Sequence, residues 1–108
     1  MKCPHIQLQP ELCIGDVAQH VDALVGIATA HDPNADINVE HGDDDGAYIN
    51  VNIYSADVRS LWAALGAAIT SDRSLISSTI ACCEGDNGWD DYLLLHHFDK
   101  TESLDALN

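Results

Sequence analysis

The chain has 108 residues, 46% of them hydrophobic, and a mean hydropathy of -0.06. That is enough for one packed core, too short for a catalytic domain plus a regulatory one, and too apolar for a disordered acidic tail. Eighteen Asp and Glu stand against four Lys and Arg, a formal charge of -14, which argues against unaided binding to nucleic acid or an anionic membrane because no basic surface exists to release counterions.

The opening Met1-Lys2-Cys3-Pro4-His5 lacks the apolar run of a signal peptide, and no stretch approaches the ~20 apolar residues of a membrane span, so a cytoplasmic location is expected. Ile6 and Leu8 alternate with polar neighbours and predict a first strand, limited by Pro10. Val17, Val21, Leu24, Val25 and Ala28 then recur at helical spacing behind a cap at Asp16, with Gln19 placed as in a capping box. His31-Asp32-Pro33-Asn34 ends that helix, since proline lacks the amide hydrogen and biases its predecessor away from helix.

Ile37 and Val39 start a second strand, and His41-Gly42-Asp43-Asp44-Asp45-Gly46 turns the chain into a third. In that third strand Ile49, Val51 and Ile53 share one face, and Tyr48, Asn50, Asn52 and Tyr54 the other. Val58, Leu61, Trp62, Leu65 and Ile69 form the apolar stripe of a second helix, with Ser55 as its expected N-cap and Asp57 near the positive end of its dipole. Ser74 to Cys83 reads as a fourth strand, Glu84 to Gly88 as a turn, and Asp91 to Phe98 as a fifth strand.

The order β-α-β-β-α-β-β predicts an α+β, ferredoxin-like domain over residues 1–98, with two helices on one face of a mostly antiparallel sheet and a C-terminal tail over 99–108. Gln7, Asn38, Glu40, Tyr48, Asn50, Asn52 and Tyr54 then fall on the helix-free face. The two acidic loops fall at opposite ends of the sheet. Cys82 and Cys83 are adjacent and point to opposite faces, so four free thiols are expected.

No spacing announces catalysis. The chain has no G-x-S-x-G elbow and no H-E-x-x-H or C-x-x-C pair, and its glycine-bracketed turns carry Asp where a phosphate would need bare amides and a Lys. Asp32, Asn34 and Asp36 imitate the start of a calcium loop, but Ile37 stands where that loop needs glycine, and strand follows where a helix should. The expectation is a protein that is not an enzyme, with no catalytic residue, metal ligand or cofactor.

Between Cys3 and Asp57 there are ten acids and no Lys or Arg. Such a surface either serves solubility or draws a cationic partner by its field. The candidate partner-binding residues are Asp43, Asp44 and Asp45 on the first hairpin, and Glu84, Asp86, Asp90 and Asp91 around Trp89 on the second. Trp89 either anchors an interface inside that charged rim or folds back to cap the core.

In architecture and charge the chain resembles, as a class, bacterial immunity proteins, which are small, often acidic and neutralise cationic nuclease toxins. The resemblance implies an acidic module that masks a basic protein partner, such as a nuclease toxin; separately, a monomer or homodimer is expected. A DNA mimic is a variant of this reading, with carboxylates in place of phosphates. The alternatives are a homo-oligomeric ferredoxin-like domain that holds a small ligand, and a metal-binding domain.

Overall fold

The computed structural model describes residues 4–43 and 46–105. A five-stranded sheet has the order β2-β3-β1-β4-β5, in which every pair of neighbours is antiparallel. Its strands are β1 (Pro4–Leu8), β2 (Asp36–Asp43), β3 (Ala47–Tyr54), β4 (Thr79–Gly85) and β5 (Gly88–His97). The helices are α1 (Val17–His31), α2 (Val58–Ser71) and a short α3 (Arg73–Ser78). Helix α1 joins β1 to β2 with β3 between them, and α2 and α3 join β3 to β4 with β1 between them. The chain is therefore α+β, and among the described residues no helix is long and apolar enough to cross a membrane.

Alternation in the strands and the helical stripes meet in one core. Ile6, Leu8, Val51, Ile53 and Cys83 from the sheet pack on Leu24, Ala28, Leu61, Leu65 and Ile69, all fully buried. Burying one such aliphatic side chain contributes about 1.5–3 kcal/mol, so this layer supplies most of the driving force. Trp62 is half-buried against the core, over Gly66 one turn along α2.

The termini of α1 follow the sequence closely. Asp16 accepts a hydrogen bond from the Ala18 amide and caps the start, and the Asp32 amide closes the end on the Ala28 carbonyl. At α2 the cap is Asp57, which accepts from the Ser60 amide, and not Ser55. Ser55 is buried and engaged elsewhere: its hydroxyl donates to Asp32 Oδ2 at 2.7 Å and accepts from the Asp57 amide. Asp32 also accepts from the Asn34 amide, so the calcium-like segment is held by its own turn.

The largest departure from expectation is α3, which occupies the first half of the predicted fourth strand. Asp72 ends α2 and caps α3 at once, accepting from the Ser74 and Leu75 amides. Ser77 and Ser78 then donate back to carbonyls one turn earlier, Arg73 and Ser74 respectively. The Asp72 cap favours a helix that β-branched and apolar content alone conceals, and the serine back-bonds satisfy the hydroxyls in its short last turn. The sheet is thus covered by three helices, where the sequence predicted two.

Candidate functional site

The face of the sheet opposite the helices is not flat. Two register rows cross it: Asn38, Asn52, His5, Cys82 and Leu94 in one, and Glu40, Asn50, Gln7, Ile80 and His97 in the next. The β2-β3 pairing is regular over all its residues, whereas β4-β5 shifts register twice. Between the pairs Cys83↔Leu93 and Gly85↔Gly88, two steps along β4 face five along β5. The surplus length of β5 carries residues 89–92, and its aromatic side chains end up over the open face, with the Trp89 ring edge-on to His5 at a centroid separation of 5.9 Å.

Glycine makes this irregularity possible at two positions. Gly88 has φ +72, in the left-handed region that opens β5 after the Asp86-Asn87 turn. A Cβ at Gly85 would strike the Asp91 carbonyl oxygen, so only glycine permits that approach. Asp91 ties the arc down further by accepting hydrogen bonds from the Asn87 amide at 2.8 Å and from its side chain at 3.3 Å.

The result is a concavity of about 660 Å³ on the open face. Its floor is the row from Asn52 through His5 to Cys82, and its far wall is Glu40 and Asn50. Trp89, Tyr92 and Leu94 of β5 form the near wall, with Tyr54 at the end of β3. Glu102 completes the near wall from the tail, which folds back on β5: the Asp105 amide donates to the Leu94 carbonyl at 2.7 Å, and the Leu94 amide donates to Asp105 Oδ2 at 2.9 Å. Asp99 braces that return. The Thr101 hydroxyl and amide both donate to its carboxylate, which holds Asp99 below the usual carboxylate range.

A polar chain runs across the floor. His5 Nδ1 donates to Asn52 Oδ1 at 2.5 Å, and Asn52 Nδ2 donates to Glu40 Oε1 at 3.4 Å. Asn50 Oδ1 is buried and has no hydrogen-bond partner among the described residues. Burial raises the pKa of the Cys82 thiol, so near neutral pH it stays protonated and is a poor nucleophile. Beyond the site, burial against α3 lowers the pKa of His96, which bonds to the Ile76 carbonyl at 3.2 Å, and neighbouring His97 adds to the lowering. Among the described residues no three His, Cys, Asp or Glu side chains gather as a metal site. The concavity offers carboxylates, amides and aromatic faces, and neither Lys nor Arg lines it. It is suited to holding a cation and unsuited to holding an anion.

The predicted partner-binding residues separate into two groups. Asp43 is the exposed last residue of β2, at one end of the sheet, and Asp44 and Asp45 lie outside the described residues. Glu84, Asp86, Trp89, Asp90 and Asp91 lie together on the β4-β5 hairpin at the other end, where Asp90 and Asp91 are exposed. Of them, Trp89 lines the concavity. At 46% exposed it is not a cap on the core. Glu40, Asn50, Asn52 and Tyr54 stand on the open face as the alternation of β2 and β3 predicts. Cys82 reaches the floor through the regular β1-β4 register, whereas Tyr92, Leu94, His97 and Glu102 join the wall because of the bulges and the tail return, for which local sequence carries no signal. Comparison of the chain with known protein families, with curated proteins and with solved structures finds no match.

Proposed function

We propose that this chain is an acidic, non-enzymatic, cytoplasmic binding module of the ferredoxin-like class, with an added edge strand, and that it masks a basic protein partner as immunity proteins mask cationic nuclease toxins. The observation that carries the reading is the concavity on the open sheet face. Three of the large apolar side chains that remain exposed, Tyr54, Trp89 and Tyr92, meet there, flanked by Glu40 and Glu102. Exposed aromatics inside an acidic rim are the composition of an interface anchor, and a charge of -14 adds long-range attraction for a cationic surface.

The test is capture of partners at about 50 mM and about 500 mM salt, followed by reconstitution from purified components, because attraction of this kind is screened across that range. A basic protein held at low salt, released at high salt and blocked in its nucleic-acid binding or cleavage by stoichiometric addition of this chain is the expected result. Failure of the purified pair to associate at either salt would overturn the reading.

One observation favours a second reading. A volume of about 660 Å³ lies within the range of small-molecule sites, so the same concavity fits a homo-oligomeric domain that holds a small ligand. Sedimentation separates the two, since a monomer at all concentrations removes the oligomeric alternative.

A further inference from the structure

Resting on that reading, we infer that the concavity is a receptor for an arginine side chain of the basic partner, stacked on the aromatic wall of β5 and neutralised by Glu102 of the returning tail. Beside the imidazoles of His5 and His97 and the apolar Ile80 and Leu94, the lining offers the π-faces of Trp89 and Tyr92 and the carboxylates of Glu40 and Glu102, with no Lys or Arg, and the amide oxygen of Asn50 lies buried without a partner among the described residues. An occupant must therefore bring hydrogen-bond donors, positive charge and a flat apolar surface together. Guanidinium has all three, with five N–H donors in a plane that stacks on aromatic rings and weak hydration that eases its burial. An ammonium group has the charge without the plane and is held more strongly by water.

The layout assigns different roles to the two carboxylates. Glu102 shares the near wall with Trp89 and Tyr92, so it is the group placed to pair with a stacked guanidinium. Glu40 lies two strands from β1 in the sheet order, roughly 10 Å at about 4.8 Å per strand, and acts through its field and through its hold on Asn52. Asn50 Oδ1, which lacks a partner among the described residues, gains a donor when its amide turns about the soft terminal torsion toward the occupant. The neighbouring Asp91 is already engaged with Asn87 and shapes the wall instead of entering the site.

Polyarginine and polylysine peptides of equal length carry equal charge, and their binding to the full chain at about 150 mM salt isolates the guanidinium from bulk attraction. Polyarginine is expected to bind about tenfold tighter, in line with a desolvated cation–π contact, and to shift the indole N–H resonance of Trp89 while that of Trp62 stays in place. Trp89→Ala and Glu102→Gln should each remove most of the preference and leave polylysine binding nearly unchanged. Glu102 is exposed on the tail, so its variant reports even if Trp89→Ala disturbs the hairpin. Equal binding of the two peptides with an unmoved Trp89 resonance would overturn the arginine site and leave the cation-docking reading standing. Binding of neither peptide at any salt would overturn both.

Discussion

The two β-hairpins have similar composition and opposite structural fates. Both carry acids at a glycine-bracketed turn, Asp43 to Asp45 between Gly42 and Gly46 in one, and Glu84, Asp86, Asp90 and Asp91 in and around Gly85 to Gly88 in the other. The β2-β3 pairing is continuous from Asp36↔Tyr54 to Asp43↔Ala47. The β4-β5 pairing breaks twice, and the slack carries Trp89 and Tyr92 over the open face. Acid content is shared, so it does not distinguish a binding site from a solvated loop. What differs is where backbone irregularity places apolar surface.

The sharpest way to break the comparison is at the root of the second hairpin. Leu95 is the buried residue of β5, and Leu95→Ala should cost about 2–5 kcal/mol in urea unfolding by leaving a cavity. Hydrogen exchange should then rise first in β4 and β5, with β2 and β3 following. Equal acceleration in both hairpins would show that they are not separate units. Next comes a glycine pair. Gly85→Ala forces Asp91 backbone away and should cost about 1–3 kcal/mol, with a changed Trp89 emission. Gly42→Ala meets only the end of the Tyr48 ring, which can swing aside, and should cost below about 1 kcal/mol.

On the proposed reading, kinetics with a captured basic partner would sharpen the contrast between the hairpins. Changing Asp43, Asp44 and Asp45 to Asn should slow association by roughly 2–5-fold at low salt and flatten its salt dependence, because rim charges act on encounter. Glu102→Gln should instead speed dissociation. A triple Asn variant that dissociates faster with an unchanged on-rate would place the contact at the first hairpin.

The smallest effect is a pH slope. His96 has a folded-state pKa below its ordinary value, so it folds neutral and the unfolded chain takes up the proton first. Its contribution is whole above the ordinary histidine pKa of about 6.5 and declines as pH falls through it. Relief of the chain's negative self-repulsion runs the other way over the same range. The informative quantity is therefore the difference between the wild type and His96→Gln, which should shrink as pH is lowered from about 7.5 to 5.5. A constant difference would sink the assignment.

How much was legible in sequence follows the same divide. Strict alternation in β3 placed Asn50, Asn52 and Tyr54 on the open face, and the stripes of α1 and α2 placed Leu24, Leu61 and Leu65 in the core. Period-based reading works where the backbone is regular. It missed α3 because the Asp72 carboxylate caps that helix by accepting from the Ser74 and Leu75 amides, and the cap outweighs local apolar content. It marked Trp89 as a candidate without knowing what the ring would face, since a bulge is a property of pairing and not of one strand. Glu102 was invisible for a related reason: its place depends on Asp105 finding Leu94 across eleven residues of chain.

That return of the tail bears on how the sheet ends. A strand at either margin offers unpaired amides to any other extended chain, the first step of runaway stacking. At β5 the margin is stopped at Leu94, where Asp105 fills both the donor and the acceptor position. At β2 the margin is open and carries Asp36, Glu40 and Asp43, so a second copy arriving there meets like charge. One border is plugged and the other electrified, two devices that oppose edge-to-edge pairing beside an exposed aromatic hollow.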